Sequence, residues 1–152
     1  MNQTHIHLVI THLPVIGSIL GAFILIYGML TKSCDTKNSA YFIFIFCAIG
    51  AVIAYITGEA AEETVENIAG VSEAMIEKHE NAAKIALASM IFLGFSALIA
   101  LVLSYKKSVF AKSFSYITLI ISLIAFGITI YTANLGGKIR HIEILNVQGL
   151  KE

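Results

Sequence analysis

Residues 10–30 read ITHLPVIGSILGAFILIYGML, with no Asp, Glu, Lys or Arg among them. About 20 apolar residues is the length an α-helix needs to cross a hydrocarbon core of about 30 Å. Three more uncharged runs follow, Tyr41–Thr57, Ile85–Tyr105 and Phe114–Leu135. Lipid offers the backbone no hydrogen bonds, so the runs are expected as helices. The pattern predicts an all-α integral membrane four-helix bundle, one domain over residues 1–152, with helices at about 8–30, 41–60, 73–105 and 114–136 running up-down-up-down.

Composition agrees with that outline. Of 152 residues, 57% are hydrophobic and 13% charged, against about 25% charged in an ordinary soluble domain. The mean hydropathy is +0.83. Ten Lys and Arg balance ten Asp and Glu, so no global field steers a polyanion and nucleic-acid binding is excluded. Residues 1–11 lack the positive charge that precedes the apolar stretch of a signal peptide, so the first run is expected to remain as a helix. Cys34 lies between runs and Cys47 inside the second, which does not suggest a disulfide. No strong internal repeat is evident, although runs one and three each begin near a histidine.

The positive-inside rule orients the chain. Lys32 and Lys37 separate runs one and two, and Lys106, Lys107 and Lys112 separate runs three and four. Those two loops are expected on the cytoplasmic side, with both termini and the segment from Gly58 to Asn81 on the exterior. On that opposite side Lys78, Lys138, Arg140 and Lys151 are diluted by acids.

Four alternating helices bring all five histidines, His5, His7, His12, His79 and His141, to the exterior end. Glu59, Glu62, Glu63, Glu66, Glu73, Glu77 and Glu80 collect there too. His12 lies at the apolar boundary just before Pro14, where an ionisable group is functional by default. On a continuous helix His5 shares its face, while His7 sits about 140° away. Ser72 is placed to cap an amphipathic lead-in to run three, along which Glu73, Glu77, Glu80 and Lys84 form a solvated stripe with His79 off it. Glu59, at the end of run two, is placed to orient a ligand imidazole, and His141 could act in the same outer layer. Lys138 and Arg140 follow Gly136-Gly137 and could hold an anion such as a propionate. The Glu-x-x-His pairs of di-iron bundles are missing.

His7-Leu8-Val9-Ile10-Thr11-His12-Leu13-Pro14 resembles the His-Pro-x-x-x-His-Phe-Pro opening of the small bacterial four-helix membrane proteins grouped as domain of unknown function twenty-two thirty-one. The resemblance continues through Gly58 ending the second helix, His79 opening the third and Gly136-Gly137 closing the fourth. Leu8 and Leu13 depart from it. It implies a bacterial inner membrane, periplasmic termini, a periplasmic cytochrome or other redox protein as companion, and His7, His12 and His79 as the site.

Three readings stand at this point. In the first, a b-type haem is clamped between helices by two imidazoles, His12 and His79 being the preferred pair and His7 the substitute, for one-electron transfer. No Cys-x-x-Cys-His is present, so such a haem is noncovalent. In the second, a single Zn, Cu or Fe ion is held by His7, His12, His79 and a carboxylate. Gly17, Ser18, Gly21 and Ala22 offer either a cleft for haem or tight helix packing. In the third, a non-catalytic subunit docks a redox partner through its acidic exterior segment. Nothing marks an enzyme: there is no Ser/His/Asp order, phosphate loop or zincin helix. Self-association stays open.

Overall fold

The structure is a computed structural model and describes residues 3–65 and 71–140; His141 and Glu66 lie outside them. The regular structure among the described residues is all helix: α1 (Gln3–Ile10), α2 (His12–Leu30), α3 (Cys34–Val65), α4 (Glu73–Tyr105) and α5 (Ala111–Arg140). Together α1 and α2 form one span, giving four helices long and apolar enough to cross a membrane.

The division at Thr11 has a local cause. Pro14 has no N–H for the carbonyl of Ile10, and its ring crowds that carbonyl. Thr11 keeps helical angles, φ −60° and ψ −24°, so the chain is interrupted without leaving the helical region. Consequently α1 packs mainly against α3, while α2 packs against both α3 and α5. The remaining contacts, α3 with α4 and α4 with α5, close a ring of four.

Helices α3 and α5 run past the apolar stretches that predict them. The segment after Gly58 continues as helix to Val65, and α4 begins at Glu73, so much of the expected exterior loop is helix. Glu and Ala are good helix formers, and backbone hydrogen bonding does not end where hydrophobicity does. Gly58 and Gly136-Gly137 therefore lie inside helices and do not terminate them. Ser72 is the N-cap of α4, but its carbonyl makes the bonds, accepting from Met75 N–H at 2.9 Å and Ile76 N–H at 3.3 Å, and its hydroxyl makes no cap bond.

Small residues set the helix separations. A Cβ on Gly17 would lie 2.5 Å from Cys47 Sγ, and one on Gly94 would lie 2.6 Å from the Ala48 Cβ. Gly17 and Gly21 thus serve packing of α2 on α3. The core between the helices holds Leu25, Tyr41, Phe44, Cys47, Met90 and Leu93, all buried. Buried hydroxyls along α5 are satisfied as lipid requires: Tyr41 Oη and Ser115 Oγ are 2.7 Å apart, as are Ser96 Oγ and Thr118 Oγ1. The outward surface carries Phe23, Phe46, Ile56, Phe92 and Phe95, all exposed, as a lipid-facing surface would. Two tight turns join the paired helices, each with a lysine in the left-handed region, Lys32 at φ 57° and Lys107 at φ 50°.

Candidate functional site

The bundle is hollow at the end where the histidines collect. One cavity of about 410 Å3 is lined mainly from α1/α2 and α5, and a second of about 660 Å3 mainly from α3 and α4. Both are lined by His7, Gly58 and His79. Their size is that of ordinary cofactor pockets, about 300–1,000 Å3. The room comes from small residues on α3, α4 and α5, among them Ala54, Gly58, Ala83, Ala133 and Gly136. Gly17, Ser18, Gly21 and Ala22 line neither cavity; they are buried in helix contacts.

Each of the three candidate imidazoles is held by a main-chain carbonyl. His7, on α1, donates from Nδ1 to Ala54 O of α3 at 2.8 Å. His79, on α4, donates from Nδ1 to Thr132 O of α5 at 3.1 Å. His12 donates from Nδ1 to Leu8 O of its own span at 2.8 Å. A carbonyl oxygen can only accept, so Nδ1 carries the hydrogen and Nε2 of the neutral ring keeps its lone pair. This is the arrangement in which histidine serves as a ligand, its second nitrogen fixed by an outer partner. Here that partner is backbone; Glu59 is exposed at the mouth between α3 and α4.

Burial separates the three rings. His7 and His79 are partly buried and face both cavities, whereas His12 is exposed and touches only the cavity between α1/α2 and α5. His7 and His12, about 140° apart around the helix, stand on the two flanks of the face that lines one cavity. His5 is exposed and lines neither.

The glycines explain how the rings fit. A Cβ on Gly136 would stand 3.0 Å from Cε1 and 3.4 Å from Nδ1 of His79, so the bare backbone makes space for that ring. At Gly58 it would stand 3.6 Å from Cε1 of His7, ordinary contact. The sequence signals close approach at Gly136-Gly137 but gives no hint of which side chain approaches.

Lys138 is partly buried in the last turns of α5 and lines neither cavity; Arg140 is the last residue of that helix. Glu80 pairs with Lys84 at 2.9 Å, consistent with a solvated stripe. Cys34 is exposed and Cys47 buried, both as free thiols. Among the described residues no three His, Cys, Asp or Glu side chains gather to hold a metal ion. What the cavity offers is a pair of imidazoles.

The fold and cavity thus define a class: a four-helix bundle with four candidate membrane spans and a histidine-walled hollow at one end. No family model, curated protein or solved structure matches the chain.

Proposed function

We propose that this protein is a membrane-anchored electron-transfer subunit that binds b-type haem between His7 and His79. The observation that carries the reading is the pair of partly buried imidazoles, each with Nδ1–H bound to a carbonyl of the neighbouring helix and Nε2 left for a ligand. The cavity they share is mostly apolar and bounded by Gly58 and Gly136, which suits a flat hydrophobic group. Two imidazoles suffice for haem iron, while a lone ion needs more protein ligands than gather here.

Bound haem would supply one-electron transfer with both axial positions filled. The protein's part is to fix the ring orientation of His7 and His79 through their Nδ1–H bonds, leaving Nε2 for the ligand, and to keep water out with Val15, Ile76 and Leu87. His12, at the mouth, is the reserve ligand. Lys138, in the last turns of α5 beyond the cavity lining, is the cation this reading assigns to haem carboxylates.

In this reading the chain sits in a bacterial inner membrane with both termini periplasmic, an orientation supported by the lysines of the two tight turns and the resemblance noted above. The site then lies near the periplasmic boundary, and Glu59 and Glu62 at the cavity mouths suit a basic docking face on a periplasmic cytochrome. The test is a visible spectrum of detergent-purified protein, oxidised and dithionite-reduced, with metal analysis of the same sample. A Soret band with sharp reduced α and β bands supports the reading. A colourless, metal-free protein, still so when haem is supplied during expression, overturns it and leaves the docking role.

A further inference from the structure

The two ring-holding arrangements are alike in more than chemistry. His7 is held by Ala54 O, and Gly58, one turn beyond that carbonyl, packs against its ring. His79 is held by Thr132 O, and Gly136, again one turn beyond, packs against its ring. The same register runs through the buried face of each helix. Pro14, Ser18, Gly21 and Leu25 of α2 match Ala86, Met90, Leu93 and Ala97 of α4 at one constant separation, all buried. That separation also carries His7 onto His79. Phe44, Ala51 and Ala54 of α3 match Ser122, Thr129 and Thr132 of α5 at a second constant separation, all buried. That one carries Gly58 onto Gly136.

The turns repeat as well. Thr31-Lys32-Ser33 and Lys106-Lys107-Ser108 each close a helix with a lysine at positive φ, whose N–H reaches the carbonyl three residues back, at 3.4 Å for Lys32 and 3.0 Å for Lys107. Helix contacts follow the same rule. The pairs α2 with α3 and α4 with α5 pack within each half, and the pairs α3 with α4 and α2 with α5 pack between them. Two hairpins running in the same direction with those contacts are related by a two-fold rotation about the bundle axis.

We infer that the chain is a pseudo-two-fold pair of hairpins, residues 3–65 and 73–140, and that its site is two equivalent half-sites, each a histidine, a carbonyl and a glycine. The inference rests on the haem reading for the identity of the occupant. It adds that the occupant lies on the axis and is bound from two opposite faces, as a planar metal macrocycle can be. It also settles the choice of histidines: the register carries His12 onto Lys84, an exposed residue on the outer stripe, so His12 belongs to neither half-site. The two cavity mouths, one between α1/α2 and α5 and one between α3 and α4, are the two gaps between hairpins that such a rotation exchanges.

Two measurements test this on the full chain. The first needs no cofactor: nitrogen NMR of histidine-labelled protein in detergent. Both His7 and His79, assigned by single substitution, are expected to carry hydrogen on Nδ1, donated to Ala54 O and Thr132 O. A ring carrying hydrogen on Nε2 and not on Nδ1 in either overturns the equivalence whether or not haem binds. The second is titration of wild type, His7→Ala, His79→Ala and His12→Ala with haem b, followed by added imidazole. Both His7→Ala and His79→Ala are expected to lose the six-coordinate low-spin spectrum and to regain it with imidazole, while His12→Ala keeps it. If one of the two keeps the low-spin spectrum, the half-sites are not equivalent and the His7–His79 clamp falls with them, although haem is bound. If wild type takes up no haem, the haem reading fails, and the NMR result alone decides the half-sites.

Discussion

Replacing Gly21 with Ala would put a methyl 2.5 Å from Cε1, 3.0 Å from Cδ1 and 3.2 Å from Cζ of Phe44. Phe44 is fully buried in the core, so its ring has nowhere to swing, and α2 must move off α3 by about 1 Å to restore carbon contacts of about 3.5–4.0 Å. Overpacking of this kind costs about 1–3 kcal/mol. The better helix propensity of Ala returns about 1 kcal/mol, leaving a net loss of up to about 2 kcal/mol. Two controls separate packing from propensity. Gly127→Ala has nothing within 4 Å of the new methyl and should be neutral or stabilising. Phe44→Ala alone should cost about 3–5 kcal/mol, but Gly21→Ala added to it should cost nothing further, because the obstructing ring is gone. With no Trp in the chain, unfolding in detergent is followed by circular dichroism or tyrosine fluorescence. A Gly21→Ala protein more stable than wild type, or effects at 21 and 44 that simply add, would refute the packing argument.

Other perturbations follow from the same contacts. Ser96→Ala should destabilise by about 0.5–2 kcal/mol because it leaves the buried Thr118 hydroxyl without its neighbour at 2.7 Å, and the double variant with Thr118→Val should recover part of that in the same unfolding assay. Gly136→Ala should leave helix content and stability equal or slightly higher, yet change the low-spin haem spectrum, since its Cβ would press on the His79 ring; Gly58→Ala, in ordinary contact with His7, should change it less. Maleimide should modify exposed Cys34 readily and buried Cys47 only after unfolding, which mass spectrometry of native and denatured samples would show. In intact spheroplasts Cys34 should be shielded from an impermeant reagent if the Lys32 loop is cytoplasmic; labelling there would invert the proposed topology.

Much of the fold is legible in the sequence because an uncharged run of membrane-spanning length admits only one backbone conformation. The helix ends are less so. Residues 61–65 are polar enough to read as loop, yet they continue α3 as regular helix, whereas the amphipathic lead-in from Glu73 is legible as helix from its cap and its spacing. Gly58 and Gly136 read as helix ends for the same reason, and only the neighbouring rings give them another purpose. The importance of His7 over His12 depends on burial and on which ring reaches both cavities, which a helical-wheel count cannot include.

The repeat is hidden in the residue types. In the first hairpin the small residue, Gly21, stands on α2 and the large one, Phe44, on α3; at the matching places of the second, the large residue is Leu93 on α4 and the small one Ser122 on α5. Volume is conserved across each pair while identity is not, which a core tolerates and a sequence comparison misses. Histidine and glycine recur because their roles allow no such exchange: one supplies a nitrogen, the other the absence of a side chain.

The central claim is that His7 and His79 together clamp one haem. It is tested most directly by the low-temperature electron paramagnetic resonance spectrum of the oxidised, haem-loaded protein, recorded for wild type and for His7→Ala. The account predicts a low-spin ferric signal typical of two imidazole ligands in wild type and a high-spin signal in the variant. A high-spin wild type, or a low-spin signal unchanged by His7→Ala, would contradict it.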